Sequence, residues 1–129
     1  MCLFCNIVEG SVPSKKVYED DIVMAFLDIS QAGYGHTLVV PKKHYRNIYD
    51  VEEETLAHLI KVVKKLAIEI TEKVGADGCN IVSNNNEAAQ QAIMHLHFHI
   101  IPRFKGDDFL MKGTTHDYDL DEVLHKIVD

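Results

Sequence analysis

The feature that most constrains the fold is a strict alternation of histidine and apolar residues between positions 95 and 100. The histidines are His95, His97 and His99, and the apolar residues are Leu96, Phe98 and Ile100. Successive side chains of a β-strand point to opposite faces of its sheet. The spacing therefore predicts a strand over residues 96–101, ended by Pro102, with three imidazoles on one face and three apolar side chains in the core.

Core packing alone does not explain three neighbouring histidines, because buried polar groups without partners are costly. Two kinds of chemistry use such a face. Three rings hold a catalytic metal ion, or a neutral imidazole attacks phosphorus while neighbouring donors stabilise the developing charge. No carboxylate follows the histidines, and the residues by themselves leave both alternatives open.

A second periodic segment predicts a long amphipathic helix. Apolar residues recur at spacings of three and four from Leu56 to Val74, which is the pattern of a helix with one buried face. We expect Asp50 to cap its start, with Glu53 as its capping-box partner, and Gly75 to end it. His58 falls on the polar face, where we expect it to be solvated.

Shorter patterns complete the prediction of an α+β fold. We predict small helices over residues 4–9 and 119–128 and strands over 16–19, 22–28, 36–41 and 79–84. The gaps between strands are of hairpin length and favour antiparallel pairing. With no repeat, linker or low-complexity segment, residues 1–129 are expected to form a single domain.

Composition excludes several classes of partner. Thirteen basic and twenty acidic residues give a net charge of −7, and the basic residues are scattered, which argues against nucleic-acid binding. No apolar run approaches the roughly 18 residues of a membrane span, and the first residues lack a signal-peptide pattern. We therefore expect a cytoplasmic protein without disulfides, in which Cys79 is a small core residue.

The segment from Asn84 to His99 resembles the histidine triad signature of the HIT superfamily. Flanking segments 2–7, 18–30 and 35–44 resemble bacterial, Hint-like members as well, so the likeness covers about residues 2–109. It implies an antiparallel sheet of about five strands with one long helix, and a homodimer whose sheets join. It also implies a purine-nucleotide-binding hydrolase or transferase that acts on the α-phosphate.

The resemblance assigns roles residue by residue. His97 matches the nucleophile that forms a nucleotidyl-histidine, His99 a ring that contacts the phosphate, and His36 a ring that supports the nucleophile. The matched nucleotide contacts are Asp28 for the ribose, Asn84 and Gln91 for the phosphate pocket, and Phe4, Ile7 and Ile29 for the base. The sequence departs from many members at three positions: Ala89 and Gln90 replace two glycines, and Ala92 replaces a hydroxyl residue.

Cys2 and Cys5 have the spacing of two metal-binding thiolates, although such a pair is also typical of redox sites. In some bacterial HIT proteins and in the related galactose-1-phosphate uridylyltransferases, two histidines complete a zinc site. Their matches here are His44 and His95. We therefore predict a closed, structural zinc; in the alternative, both thiols are free and His44 is solvated.

The first functional hypothesis is hydrolysis of nucleoside phosphoramidates or similar nucleotides. A dinucleoside polyphosphate (Ap4A-type) hydrolase is an alternative, with which the segments 99–103 and 105–109 are compatible. Two further alternatives are a nucleotide sensor without turnover and an enzyme with catalytic zinc on the three histidines.

Overall fold

The computed structural model describes residues 2–129, in which five antiparallel strands form one sheet in the order β1-β2-β3-β5-β4. The elements are α1 (Leu3–Glu9), β1 (Lys16–Glu19), β2 (Val23–Leu27), β3 (Thr37–Pro41), α2 (Glu53–Val74), β4 (Gly78–Val82), β5 (Phe98–Arg103) and α3 (Leu120–Val128). A short 3-10 helix at Glu87–Ala89 lies between β4 and β5. The predicted α+β fold is confirmed.

The sheet separates two apolar layers. On one face, Leu59, Val63 and Leu66 of α2 pack against a group of buried residues that includes Leu96, Phe98 and Ile100. On the other face, α1 buries Phe4 and Ile7 against residues of β2 and β3. The apolar half of the alternating segment therefore faces α2, and this leaves the histidines on the side of α1.

The strand that carries the triad is shifted from its predicted bounds. It begins at Phe98, so that His95 and His97 precede it, and it continues through Pro102 to Arg103. β3 pairs with β5 only as far as Ile100. Beyond that residue one side of β5 has no strand neighbour, and a proline without an N–H group is tolerated there.

Two predictions about α2 were wrong. Glu52 occupies the N-cap position without a side-chain hydrogen bond, and Asp50 instead accepts hydrogen bonds from the backbone N–H groups of Arg46 and Asn47. His58 is only half-exposed, and its Nε2 lies 2.7 Å from a carboxylate oxygen of Asp20 in the β1–β2 turn. In both cases the side chain binds a group in a turn outside the helix, and the apolar spacing of α2 carries no information about those turns. Gly75 ends the helix as predicted.

The C-terminal tail leaves the sheet beside β4. The Arg103 guanidinium donates to the Asp107 carboxylate, to Oδ1 of Asn80 on β4 and to the carbonyl of Phe109. After this anchor, residues 110–129 are all exposed, including those of α3. Within residues 2–129, no helix combines the length and the apolar character that a membrane crossing requires.

Candidate functional site

A cleft of about 1050 Å³ opens on the α1 side of the sheet. Its walls are mainly apolar and come from α1, β2 and the residues around Ile93. Asp28, Asn84, His97 and His99 place a few polar groups in these walls. A large apolar cleft with convergent polar groups is the usual form of a small-molecule site.

His97 lies at the bottom of this cleft and is 5% exposed. Its Nδ1 lies 2.7 Å from the backbone carbonyl oxygen of His95, so Nδ1 must carry the ring proton and Nε2 keeps its lone pair. The edge of the Phe4 ring packs against the imidazole, with centroids 5.0 Å apart. Burial lowers the pKa of His97. The ring is therefore neutral near pH 7, oriented by the backbone, and able to act as a nucleophile.

His99 and His36 form a second pair of rings beside His97. Nε2 of His36 lies 2.9 Å from Nδ1 of His99 and 3.5 Å from Oδ2 of Asp28. Burial, reinforced by the charges of His97 and His36, lowers the pKa of His99 to about 4. Burial also lowers the pKa of His36, although Asp28 opposes this effect. Both rings are neutral at physiological pH and work as hydrogen-bonding groups rather than cations.

The structure places the other predicted contacts in different settings. Asn84 lines the cleft together with Phe4 and Ile7, and Ile29 lies wholly exposed at its rim. Gln91 is buried outside the lining. Its amide accepts from Asn86 N and Asn47 Nδ2 and donates to the carbonyls of Arg46 and Ile93. The Gln91 side chain therefore holds together the loop that borders the cleft.

Gln90 and Gln31 line the cleft and were not among the predicted site residues. Gln90 has a φ of 70°, a left-handed conformation that glycine adopts without strain. This geometry explains why glycine suits the position. No local pattern points to Gln31, because its hydrogen-bond partners are backbone groups of its own loop.

Four side chains at the other end of the histidine segment form a compact cluster. The ligand atoms are Sγ of Cys2 and Cys5 and Nδ1 of His44 and His95, and their six separations all lie between 3.0 and 3.6 Å. Zinc bonds of about 2.0–2.3 Å to nitrogen and sulfur in a tetrahedral site require edges of this order. The donor set therefore fits one zinc ion.

The orientation of His95 supports the same interpretation. The ring is fully buried, and its Nε2 lies 2.8 Å from the carbonyl oxygen of Pro41. Nε2 therefore carries the proton, and the lone pair of Nδ1 points at the two sulfur atoms. Metal-binding histidines commonly use a backbone carbonyl in this way. His95 turns toward the cysteines, whereas the rings of His97 and His99 pack together with centroids 5.1 Å apart. Among residues 2–129, no candidate metal group combines His95, His97 and His99.

The chain thus combines an antiparallel five-stranded sheet, a histidine pair in a cleft and a third histidine turned toward two cysteines. The HIT domain matches residues 9–106 of this sequence. The chain belongs to the HIT domain family.

Three relatives illustrate the range of the family. A HIT-like protein of Methanocaldococcus jannaschii is 52% identical, and the match covers 98% of each chain. The adenosine 5′-monophosphoramidase hnt1 of Schizosaccharomyces pombe is 39% identical, over 79% of this chain and 74% of that protein. The adenylylsulfatase HINT3 of Arabidopsis thaliana is 38% identical, over 82% of this chain and 54% of that protein. The family thus includes nucleotide hydrolases.

Two solved structures support the fold and bear on the metal site. A HIT family member from Bacillus subtilis has a TM-score of 0.90 and 45% identity, covering 98% of this chain and 94% of its own. A zinc-bound histidine triad family protein from Mycobacterium smegmatis has a TM-score of 0.81 and 38% identity, covering 94% and 86%. The antiparallel fold is therefore shared with solved relatives, one of which binds zinc.

Proposed function

We propose that the protein hydrolyses the α-phosphate linkage of purine nucleotide derivatives, nucleoside phosphoramidates first among them, through a nucleotidyl-histidine intermediate. The observation that carries this proposal is the state of His97. It is a buried, neutral ring whose Nδ1 is held by the His95 carbonyl and whose Nε2 is left free beside the cleft. Two relatives are named as an adenosine 5′-monophosphoramidase and an adenylylsulfatase, and both names describe the hydrolysis of an adenosine phosphate derivative.

The cleft offers a distinct group for each part of a nucleotide. The rings and aliphatic chains of Phe4, Ile7 and Ile29 provide an apolar surface for the base. The Asp28 carboxylate accepts two hydrogen bonds from the vicinal hydroxyls of a ribose. Asn84 and His99 are polar groups on the His97 side, where the α-phosphate would lie.

The reaction follows from the free nitrogen of His97. Its lone pair attacks the α-phosphorus, a P–N bond forms to the ring, and the P–N bond to the leaving amine breaks. The amine takes a proton from solvent, because Ala92 offers no hydroxyl. Water then attacks the phosphorus and loses a proton to solvent. The P–N bond to His97 breaks, the nucleoside 5′-monophosphate is released, and the ring recovers its lone pair. Hydrogen bonds from Asn84 and His99 stabilise the charge that develops on the phosphate oxygens.

The cluster of Cys2, Cys5, His44 and His95 would hold a structural zinc. A zinc ion with four protein ligands has no open position for substrate, and its contribution is to folding. These residues tie the start of α1 and the loop after β3 to the backbone that carries His97. We propose the cytoplasm as the compartment, because a reducing environment keeps both cysteines available as thiolates.

We also propose a homodimer in which the sheet continues across the β4 edge. β4 is an outer strand, and Ile81 of β4 and Ile68 of α2 are exposed on this side of the molecule. An unpaired strand edge with neighbouring apolar residues is suited to pairing with a second copy. Sedimentation at micromolar concentration should show a dimer, and a monomer would contradict this assembly.

A turnover panel tests the activity. Adenosine 5′-phosphoramidate, adenylyl sulfate, an adenylyl-amino acid and diadenosine polyphosphates are compared under identical conditions, with the guanosine phosphoramidate to measure base preference. We expect the phosphoramidate to be hydrolysed with the highest kcat/KM. Preference for the diadenosine compounds would identify the alternative hydrolase. Tight AMP binding without any turnover would identify a sensor.

A further inference from the structure

The loop between β2 and β3 is closed by a backbone hydrogen bond from Asp28 N–H to the His36 carbonyl and by four hydrogen bonds of one side chain, Gln31. Its Nε2 donates to the carbonyls of Asp28, at 2.5 Å, and His36, at 2.8 Å. Its Oε1 accepts from the N–H groups of Gly35, at 2.9 Å, and His36, at 3.0 Å. Both donors and both lone pairs of the amide are therefore engaged, and they join the two ends of the loop.

One backbone group of this loop determines the proton position on His36. The N–H of Ala32 lies 3.1 Å from Nδ1 of His36 and donates to it. Nδ1 therefore carries no proton, and the neutral ring carries its proton on Nε2. That proton is directed at Nδ1 of His99, 2.9 Å away.

The contact with His36 also fixes the proton position on His99. Because its Nδ1 accepts from His36, the neutral ring must carry its proton on Nε2. Within residues 2–129 this Nε2 has no hydrogen-bond partner, and His99 lines the cleft. The chain of donors from Ala32 through His36 thus presents one N–H group of His99 to a ligand.

This series of hydrogen bonds also decides whether His36 and His99 serve as a hydrogen-bond donor or as ligands of a second metal ion. Asp28, His36 and His99 have ligand atoms close enough to share a metal ion. A cation there would need the lone pair of His36 Nε2, but the Ala32 N–H leaves the proton on that nitrogen. The loop therefore favours a hydrogen-bond donor over a second metal site.

We propose that Gln31 is a positioning residue for the reaction: it holds the 28–36 loop so that Ala32 selects the tautomers of His36 and His99 and aims the His99 Nε2–H at the α-phosphate. The role in turnover rests on the proposed function, whereas the tautomers do not. Gly33 supports the same arrangement, because a Cβ atom there would overlap the carbonyl oxygen of Pro102 and lift the loop from β5.

Nitrogen NMR of the zinc-loaded, ¹⁵N-histidine-labelled protein measures the tautomers directly. We expect His36 and His99 of the wild type to carry their protons on Nε2. In Gln31→Ala, and in the near-isosteric Gln31→Glu, which cannot donate to the two carbonyls, we expect His99 to become a mixture of tautomers. His58→Gln is the control, because it removes a contact outside the cleft and should leave both tautomers unchanged.

Kinetics provide the second readout. We expect both Gln31 variants to lower kcat by up to about 100-fold, the loss that a small misplacement of a reacting group can cause, with a smaller change in KM. Unchanged tautomers in Gln31→Ala, a wild-type His99 protonated on Nδ1, or a second equivalent of Zn²⁺ bound by His36 and His99 would each overturn the proposal. Correct tautomers in a wild type without turnover would instead contradict the proposed function.

Discussion

His95 and His97 are two residues apart on the same side of the chain, yet their ring nitrogens face different chemistry. His95 donates a hydrogen bond from Nε2 to the Pro41 carbonyl and turns Nδ1 toward Cys2 and Cys5. His97 donates a hydrogen bond from Nδ1 to the His95 carbonyl and leaves Nε2 free beside the cleft. Which nitrogen donates to a backbone carbonyl therefore decides whether the ring is suited to bind metal or to attack phosphorus.

The two sites are also physically coupled. The carbonyl that orients His97 belongs to His95, so a displacement of His95 moves the acceptor that sets the tautomer of His97. Phe4 contacts both rings, with centroids 5.9 Å from His95 and 5.0 Å from His97. The cluster of Cys2, Cys5, His44 and His95 and the cleft thus share the backbone segment 95–97, one carbonyl and one aromatic side chain. Substitutions on each side test how far their functions separate.

The largest effect is expected from His97→Ala. Loss of the atom that we propose as the nucleophile should reduce turnover by about 10³-fold or more, whereas nucleotide binding should largely remain because the other cleft groups are unchanged. Quenched reactions with labelled substrate should trap an acid-labile adduct on His97 of the wild type. In His95→Ala we expect loss of zinc and stability as the primary defect. Near-normal turnover by His97→Ala, or an adduct on His99, would show that the mechanism is wrong.

Cys5→Ser is expected to remove the metal without substituting any side chain that lines the cleft. Purified wild type should contain about one zinc per chain, and the variant should contain none and melt at a lower temperature, because metal binding contributes to folding. Cys79→Ser is the matched control, since Cys79 is remote from the cluster and should leave the zinc content unchanged. Metal-free wild type of undiminished stability would refute the zinc site.

The pH dependence of kcat and of stability is expected to show that His99 titrates at a lower pH than an ordinary histidine. Since the pKa of His99 is lowered to about 4, His99 stays neutral far below the reference value of about 6.5. Its protonation should depress kcat only as the pH approaches 4. The free energy of unfolding should also fall at low pH. Between about pH 6.5 and 4 the unfolded chain binds a proton at this ring and the folded chain does not, so stability decreases as the pH falls through this window. A pH–rate profile and ¹⁵N titration check this; a His99 midpoint near 6.5 would contradict it.

The smallest effect concerns the rim of the cleft. Gln90 has a φ of 70°, so Gln90→Gly should relieve backbone strain and raise the free energy of unfolding by about 0.5–1 kcal/mol. Ala89→Gly is the matched control. Ala89 lies in the 3-10 helix without a positive φ, so glycine there should destabilise the protein. Denaturant unfolding of both variants measures the difference; equal effects of the same sign would exclude this explanation.

Local patterns in the sequence were sufficient for much of the framework. The period-two alternation from His95 to Ile100 correctly separates a histidine face from a core face, even though β5 itself begins only at Phe98. The apolar stripe of α2 and its end at Gly75 were also predictable. These features depend on interactions between residues a few positions apart, and such interactions are visible in sequence spacing.

Tertiary structure decided the features that join distant segments. The Asp20–His58 contact spans 38 positions and the Cys2–His44 approach spans 42, and spacing alone does not report such distances. The resemblance to HIT proteins proposed the ligand set and the cleft residues, but their tautomers depend on carbonyl and N–H groups brought close by strand pairing. The sequence by itself therefore determined which side chains share a face. Only the folded backbone determined which nitrogen of each histidine carries the proton, because that choice depends on the polar group that lies opposite.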